Sequence, residues 1–230
     1  MPGVLTDEVR VRSGILGLDK LMKGGFPQNS INLIAGESGT GKTTFGLQFL
    51  YAGATQFREA GMLISFEETK DSIAKEMASY GWNLDNAERD KKIVVLEYPP
   101  QEVGHFMAQE VIIHDAVEEY GVKRVVIDSI TTFALMYETE HKQREEVTKL
   151  VSKLKRWGCT VLMASEVEED PKGEMRARFG LETVCDGVIY LYNTRQGDER
   201  NRQMEVYKMR GTQHESKVVP MKFTSAGISL

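Results

Sequence analysis

Cysteines, long apolar runs and an excess of positive charge are all lacking in this sequence of 230 residues. The two cysteines, Cys159 and Cys185, stand in apolar surroundings without metal-ligand spacing, which indicates core residues of a reducing compartment. No apolar stretch approaches the roughly 18 residues of a membrane span. The segment Met1–Glu8 lacks the basic and apolar regions of a secretory signal. We therefore expect a cytoplasmic protein with no membrane partner.

The charge balance disfavours nucleic acid as a partner. The chain has 29 basic and 34 acidic residues, for a formal net charge of −5, and both signs are mixed along most of its length. Proteins that bind nucleic acids gain much of their affinity by neutralising phosphates with clustered Lys and Arg side chains. We expect no general binding to DNA or RNA.

Short apolar runs rich in β-branched residues alternate with segments of helical character. No repeat, low-complexity tract or linker divides the chain, so we predict a single domain over residues 1–230. The predicted strands are Ser30–Ala35, Met62–Phe66, Ile93–Leu96, Arg124–Ile127 and Thr160–Met163. The predicted helices are Lys42–Phe57, a helix capped by Thr69 that ends near Tyr80, Ala108–Tyr120 and Glu138–Trp157.

This alternation predicts an α/β fold with a mostly parallel central sheet flanked by helices on both faces. Beyond Asp186 the pattern changes, because three strand-like runs follow one another with only turns between them. These runs are Val188–Leu191, Gln203–Met209 and Lys217–Phe223. We expect them to form an antiparallel C-terminal extension at one edge of the sheet.

A complete phosphate-binding loop follows the first predicted strand. Gly36–Thr43 matches the pattern G-x-x-x-x-G-K-[ST], with a strand before it and a helix after it. A glycine-rich turn that matches by chance would not explain both flanks. The glycines allow backbone N–H groups to face phosphates, Lys42 would reach the β- and γ-phosphates, and the Thr43 hydroxyl would bind Mg²⁺. The predicted ATP- or ADP-binding residues here are Gly36, Ser38, Gly39, Thr40, Gly41, Lys42, Thr43 and Thr44.

Acidic residues end two of the predicted strands. Asp128 follows an apolar strand and would lie near the phosphate loop, where it would hold the hydration shell of Mg²⁺; alternatively, it only begins a turn with Ser129. Glu67 and Glu68 follow another strand. One of them would orient and deprotonate the attacking water while the other supports metal or polar contacts. Both acids also suit the N-terminus of the helix that Thr69 caps, and the two interpretations are compatible.

Together these features resemble the KaiC-like ATPases of the RecA superfamily, and the resemblance covers nearly the whole chain. The most specific stretch is Lys208–His214, with the sequence KMRGTQH. The other matching segments are Ser13–Asp19, Gly24–Pro27, Phe66–Thr69, Tyr80–Trp82 and Ile127–Ser129. The resemblance implies a RecA-like P-loop fold and ATP hydrolysis that uses Glu67 and Glu68.

The resemblance also implies a homo-oligomer, a hexameric ring in the family's manner, whose nucleotide sites are shared between subunits. Lys208, Arg210 and His214 would reach the nucleotide of the neighbouring subunit. Met209 and Thr212 would also contact nucleotide, and Ser79 would lie near the base. Because Lys208 and Arg210 are two apart on a predicted strand, both would point to one face as a pair of cations. Alternatively, the stretch is a solvated strand end with an exposed histidine.

The chain departs from the circadian KaiC pattern in three respects. It has one such domain where KaiC has two, and Glu182–Thr183 replaces a phosphorylated Ser-Thr pair, so neither autokinase activity at Thr183 nor a clock role follows. Thr224–Ser225 stands where the family has Thr-Asp. We expect a regulatory output, in which a protein partner reads the nucleotide state.

Two other functions remain open on the sequence. A RadA-like recombinase or mediator would need a DNA-binding loop, for which Lys172, Arg176 and Arg178 are the candidates, although acids outnumber them in the same segment. A nucleotide-sensing assembly factor would bind ATP with little turnover, and Glu67 and Glu68 argue against it.

Overall fold

The computed structural model describes residues 9–99, 102–169 and 174–230. The strands are β1 (Arg10–Val11), β2 (Phe26–Pro27), β3 (Ile31–Gly36), β4 (Ala60–Ser65), β5 (Ile93–Glu97), β6 (Val122–Asp128), β7 (Thr160–Ser165), β8 (Val167–Glu169), β9 (Met175–Ala177), β10 (Gly187–Gln196), β11 (Glu199–Met209), β12 (Val218–Pro220), β13 (Lys222–Thr224) and β14 (Gly227–Ser229). The α-helices are α1 (Leu18–Leu21), α2 (Lys42–Ala52), α3 (Lys70–Ser79), α4 (Leu84–Arg89), α5 (Val103–Ala108), α6 (Glu110–Glu119), α7 (Ile130–Leu135) and α8 (Glu140–Leu154).

The central sheet has eight strands in the order β12-β11-β10-β3-β7-β6-β4-β5. The six strands from β10 to β5 are parallel to one another, and β11 and β12 run antiparallel at one edge. The predicted fold class is therefore confirmed. One detail differs from the expectation, because β10 pairs in parallel with β3, and the antiparallel pairings of this sheet are β10 with β11 and β11 with β12.

Both faces of the sheet are buried. Leu33 of β3 faces a core formed with α5 to α8, whereas the next residue, Ile34, faces a second core formed with α1 to α4 and the C-terminal strands. This alternation explains why the central strands are apolar at nearly every position. Within the described part of the chain, no helix is long and apolar enough to cross a membrane.

Most predicted elements are found close to their expected positions. The Thr69 hydroxyl accepts a hydrogen bond from the Ser72 amide at 3.3 Å, so Thr69 caps α3 as predicted. The helix predicted to reach Phe57 ends as an α-helix at Ala52 and continues as a π-helical turn, Gly53–Phe57. The long charged helix is α8, which Thr139 caps and which ends in a 3₁₀ turn.

The predicted helix Ala108–Tyr120 is found as α6, Glu110–Glu119, whereas α5, which ends before Gln109, was not predicted. One predicted element is wrong, because Lys217–Phe223 is not one strand. Its ladder with β11 ends at Pro220, whose nitrogen has no hydrogen to donate, and the chain after Met221 pairs instead with β14. The sequence analysis also missed the short helices α4 and α7.

Candidate active site

The phosphate loop lies between β3 and α2, at the carboxyl edge of the parallel sheet. Gly39 and Gly41 have φ angles of 76° and 100°, which side chains rarely adopt. Gly36 permits a close approach, since a Cβ there would lie 2.6 Å from the Leu191 carbonyl oxygen. The Thr40 hydroxyl donates to the Glu37 carbonyl at 2.8 Å and closes the loop from within. The loop conformation thus depends on glycine at these three positions.

Lys42 extends back across the loop. Its ammonium donates to the Gly36 and Glu37 carbonyl oxygens, at 2.8 and 2.9 Å. Burial lowers the pKa of Lys42, and the charges of Asp128 and Glu166 oppose that shift. The amine stands in a cavity of about 360 Å³ that opens over the N-terminus of α2. A positive charge beside a glycine-rich loop and a helix N-terminus forms an anion site suited to phosphates.

Asp128 is placed at the end of β6, as the strand pattern predicts, and faces the same cavity. It is 7 % exposed, and burial raises its pKa to about 6, with the charges of Glu67 and Glu68 adding to the rise. The nearby Thr43 hydroxyl stabilises the charged carboxylate and opposes the rise in pKa. The two residues predicted to bind Mg²⁺ therefore line the same cavity.

The Thr43 hydroxyl and the Asp128 carboxylate are hard oxygen donors, which fit Mg²⁺. In the described part of the chain, no group of three or more His, Cys, Asp or Glu side chains is arranged to hold a metal by itself. Mg²⁺ in nucleotide sites usually keeps several water ligands and takes only one or two protein oxygens, with phosphates providing the rest. Thr43 and Asp128 would provide these two protein oxygens.

Glu67 and Glu68 both line the cavity but have different neighbours. Oε1 of Glu67 accepts hydrogen bonds from the hydroxyls of Ser129 and Thr132, the latter at 2.5 Å. Glu68 accepts from the Ser72 hydroxyl at 2.6 Å, at the beginning of α3. Of the two, Glu67 thus lies beside the turn that carries Asp128, and its charge acts on Lys42.

Several residues of the cavity were missed by the sequence analysis. Glu166 comes directly after β7, and Asp128 is the last residue of the neighbouring strand β6. Because the carboxyl ends of parallel strands lie side by side, this position could have identified Glu166 from the sequence. Arg202 and Phe223 come from distant strands, and only the sheet order brings them to the phosphate loop. The Arg202 guanidinium lies 4.7 Å from the centre of the Phe223 ring, which packs on Gly41. A second missed acid, Glu76, accepts a hydrogen bond from the Thr44 hydroxyl.

The KMRGTQH segment lies near the amino ends of the parallel strands, whereas the phosphate loop lies at their carboxyl ends. Met209 pairs with Gly187, and Gly187 pairs with Asn32, four residues before Gly36 along β3. At roughly 3.3 Å per residue, this end of β11 is offset from the loop by about 13 Å along the strand direction alone. Within one chain, the structure does not bring this segment to the cavity.

Both cations of the segment contact the chain just before β10, although Arg210 lies beyond the end of β11. Lys208 donates to the carbonyl oxygens of Glu182 and Cys185, at 2.6 and 2.8 Å. Arg210 follows the last residue of β11 and contacts Asp186 at 3.2 Å and the Thr183 carbonyl at 3.0 Å.

The remaining predicted contact residues lie outside the phosphate cavity of their own chain. Met209 is buried, and the Thr212 hydroxyl accepts from Arg10 at 2.6 Å. The His214 ring lies 3.4 Å from the Glu215 carbonyl oxygen. Ser79, at the last position of α3, donates to the Glu76 carbonyl at 2.7 Å.

The candidate DNA-binding segment carries paired charges. Arg176 contacts Glu174, and Arg178 lies 3.7 and 3.9 Å from Glu166 and Glu168. Lys172, the third candidate, lies outside the described residues.

Comparison with known proteins identifies the family. The model of the KaiC ATPase family matches residues 11–230. The chain belongs to the KaiC family of ATPases. It is 37% identical over 229 residues to the circadian clock oscillator protein KaiC of Synechococcus elongatus, and 39% identical over 213 residues to that of Thermostichus vulcanus. These matches cover 96% and 89% of this chain but only 44% and 41% of the two relatives.

A solved structure agrees with this family membership. The crystal structure of a KaiC-like protein from the hyperthermophilic archaeon Pyrococcus horikoshii is similar to this KaiC-family chain with a TM-score of 0.85 and 38% identity. The match covers 96% of this chain and 98% of the archaeal one. The chain thus spans less than half of the clock proteins it matches, and nearly all of the KaiC-like protein.

Proposed function

We propose that this KaiC-family chain binds ATP with Mg²⁺ at Gly36–Thr44 and hydrolyses it to ADP and phosphate. The observation that carries this function is one cavity that holds the Lys42 ammonium, the Thr43–Asp128 pair and the Glu67 carboxylate. Phosphate binding, metal binding and water activation each need one of these groups, and all three face the same space.

Binding uses the loop and its lysine. The backbone amides of the loop and Lys42 hold the phosphates, and Lys42 exchanges its two carbonyl partners for phosphate oxygens. Mg²⁺, when bound, neutralises charge on the β- and γ-phosphates. Thr43 and Asp128 would hold it. Arg202, stacked on Phe223 at the rim, adds a second positive charge from the same chain.

Hydrolysis uses Glu67 as the base. Two hydroxyls bind Oε1, so this oxygen is fixed, and no hydrogen bond to Oε2 occurs within the described residues. Oε2 is therefore the acceptor for the attacking water. As the water oxygen bonds to the γ-phosphorus, the bond to the bridging oxygen of ADP breaks, and Glu67 takes the water proton. Glu68 supports this arrangement from the start of α3.

We also propose that the site is completed by a second copy of the chain. Lys208 and Arg210 would reach the nucleotide of the neighbouring subunit in a homo-oligomeric, hexameric ring, where Met209, Thr212 and His214 add contacts. Ser79 would lie near the base of the nucleotide held by its own subunit. Their distance from the phosphate loop of their own chain supports an action between subunits. Residues 1–230 would act as one ATPase domain in the cytoplasm, with a protein partner that reads the nucleotide state.

Substitutions in the cavity test the catalytic assignment. Lys42→Ala should abolish tight ATP binding, because it removes the charge on the β- and γ-phosphates. Glu67→Gln should keep ATP binding and slow hydrolysis by about 100-fold or more, and Glu68→Gln should slow it less.

Calorimetry measures binding, and phosphate release measures turnover. The control is Glu118→Gln on the exposed face of α6, which should match the unaltered chain in both measurements. If neither Glu67→Gln nor Glu68→Gln slows turnover, the base lies elsewhere.

A further inference from the structure

Glu76 is a carboxylate in the phosphate cavity that hydrolysis does not use. It projects from α3 toward α2, and its Oε1 accepts a hydrogen bond from the Thr44 hydroxyl at 2.6 Å. It is half-buried, and within the described residues it forms no salt bridge. Burial raises its pKa, and the charge of Glu68 adds to the rise. A partly desolvated acid that would repel phosphates destabilises both the fold and the binding site, so a compensating role in the site is expected.

The position of Glu76 relative to the loop indicates which part of a nucleotide it would meet. In a P-loop the lysine reaches the β- and γ-phosphates, and the loop backbone cradles the α- and β-phosphates. Asp128 and Glu67 mark the γ-phosphate end of the cavity. Thr44, one residue beyond the metal-binding Thr43, lies toward the α-phosphate, so the sugar would follow on the side where Glu76 stands.

The opposite wall of this space is the β13–β14 hairpin. Its Phe223 packs on Gly41, and its Ile228 amide donates to the Gln48 side chain of α2 at 2.6 Å. The hairpin, residues 222–229, contains hydroxyl side chains but no acid. Glu76 is thus a carboxylate that is hydrogen-bonded to α2 through Thr44, next to the expected position of the sugar.

We propose that Glu76 accepts hydrogen bonds from the ribose hydroxyls of the bound nucleotide and so selects ribonucleotides over deoxyribonucleotides, a role that depends on the ATP binding proposed above. An acidic side chain that receives ribose hydroxyls is a known solution in dinucleotide-binding folds. The Thr44 hydroxyl fixes Oε1 and leaves Oε2 to accept from the sugar. A hydrogen bond to a charged acceptor corresponds to about 10- to 100-fold in affinity.

The test compares the binding of Mg²⁺–ADP, 2′-deoxy-ADP and 3′-deoxy-ADP by calorimetry, so that turnover does not enter. The unaltered chain should bind ADP at least about 10-fold more tightly than one of the two deoxy analogues. Glu76→Ala should weaken the binding of ADP but not of the analogue that lacks the contacted hydroxyl, and so reduce this ratio to within about twofold. Glu76→Gln, which keeps an acceptor oxygen and the side-chain volume, should give an intermediate ratio and serves if the alanine variant does not fold. Asp71→Asn, an acid-to-amide change at an exposed position of α3, is the matched control and should leave the ratio unchanged.

Two results would overturn the role of Glu76 alone. One is equal binding of all three nucleotides by the unaltered chain. The other is a Glu76→Ala variant that weakens all three by the same factor, which would show that Glu76 only positions Thr44. If the unaltered chain binds none of them, or if binding survives Lys42→Ala, the proposed ATP site fails and the role of Glu76 fails with it.

Discussion

At the residue scale, the site concentrates negative charge that the fold alone does not need. Asp128 is almost fully buried, and its pKa of about 6 shows that ionisation is costly in the folded chain. Its ordinary pKa is 3.8, so the unfolded chain ionises at a lower pH than the folded one. Folding therefore becomes less favourable as pH rises from about 4 through 6, and the whole cost is present above 6.

We predict that Asp128→Asn stabilises the chain in the absence of metal and nucleotide. At pH 7.5 the gain should be on the order of 2–3 kcal/mol, because one pKa unit corresponds to about 1.4 kcal/mol. The gain should shrink as pH falls toward 5, where the folded carboxyl is already largely protonated. Thermal unfolding in a chelator at both pH values measures it. A less stable variant at pH 7.5, or an equal gain at both pH values, would contradict the account.

Some residues of the site can be predicted from local sequence, and others cannot. Lys42, Thr43 and Asp128 were predictable, because each stands at a fixed place in a strand–loop–helix or strand-end pattern, and the structure brings them together. Arg202 and Phe223 were not, because they reach the phosphate loop only through the order of strands in the sheet. No spacing in the sequence encodes that order directly.

At the element scale, α2 packs unusually close to the sheet, and glycine permits it. A Cβ on Gly46 would lie 2.7 Å from Cγ1 of Val126 on β6. Val126 is 3% exposed and cannot move without disturbing the core. Because α2 begins at Lys42, this contact sets the distance between the phosphate loop and Asp128 at the end of β6.

We predict that Gly46→Ala destabilises the chain by about 1–3 kcal/mol, although alanine favours helix formation by about 1 kcal/mol. The matched control is Gly104→Ala, also a glycine within a helix, where an added Cβ would meet nothing within 4 Å. That change should leave stability unchanged or raise it slightly. Urea unfolding of both variants gives the comparison, and equal effects would show that the α2 contact is not restrictive.

The sequence predicted best those elements that one strong local signal marks. The central strands are continuous apolar runs, and α3 has a capping hydroxyl at Thr69. By contrast, α7 is a six-residue apolar segment without helical periodicity, so its pattern did not distinguish it from a turn. The split between β12 and β13 depends on Pro220, whose effect on strand pairing the pattern did not include.

At the scale of the whole molecule, the register of the sheet separates two sets of residues to which we assign roles in the nucleotide site. The phosphate loop follows the carboxyl end of β3, whereas Lys208 and Arg210 lie beside its amino end. A chain with both sets, each at a different surface, is suited to a head-to-tail ring, in which one surface of each copy meets the other surface of the next. We therefore propose that the nucleotide site is formed by two subunits.

Arg210→Ala should lower the rate of ATP hydrolysis by about 10- to 1,000-fold while it disturbs ATP binding much less, as expected for an arginine that stabilises charge on the transferring phosphoryl group. Lys42→Ala should also be inactive, but because it cannot bind ATP. Each variant keeps the half of the site that the other lacks.

Mixing the two variants is the most direct test. Subunits with Arg210→Ala and subunits with Lys42→Ala are combined in equal amounts, exchange is verified by mass, and phosphate release is measured against each variant alone. We predict that the mixture recovers part of the activity of the unaltered chain, because some interfaces pair an intact phosphate loop with an intact Arg210. A mixture that stays as inactive as its components, despite verified exchange, would contradict a site shared between subunits.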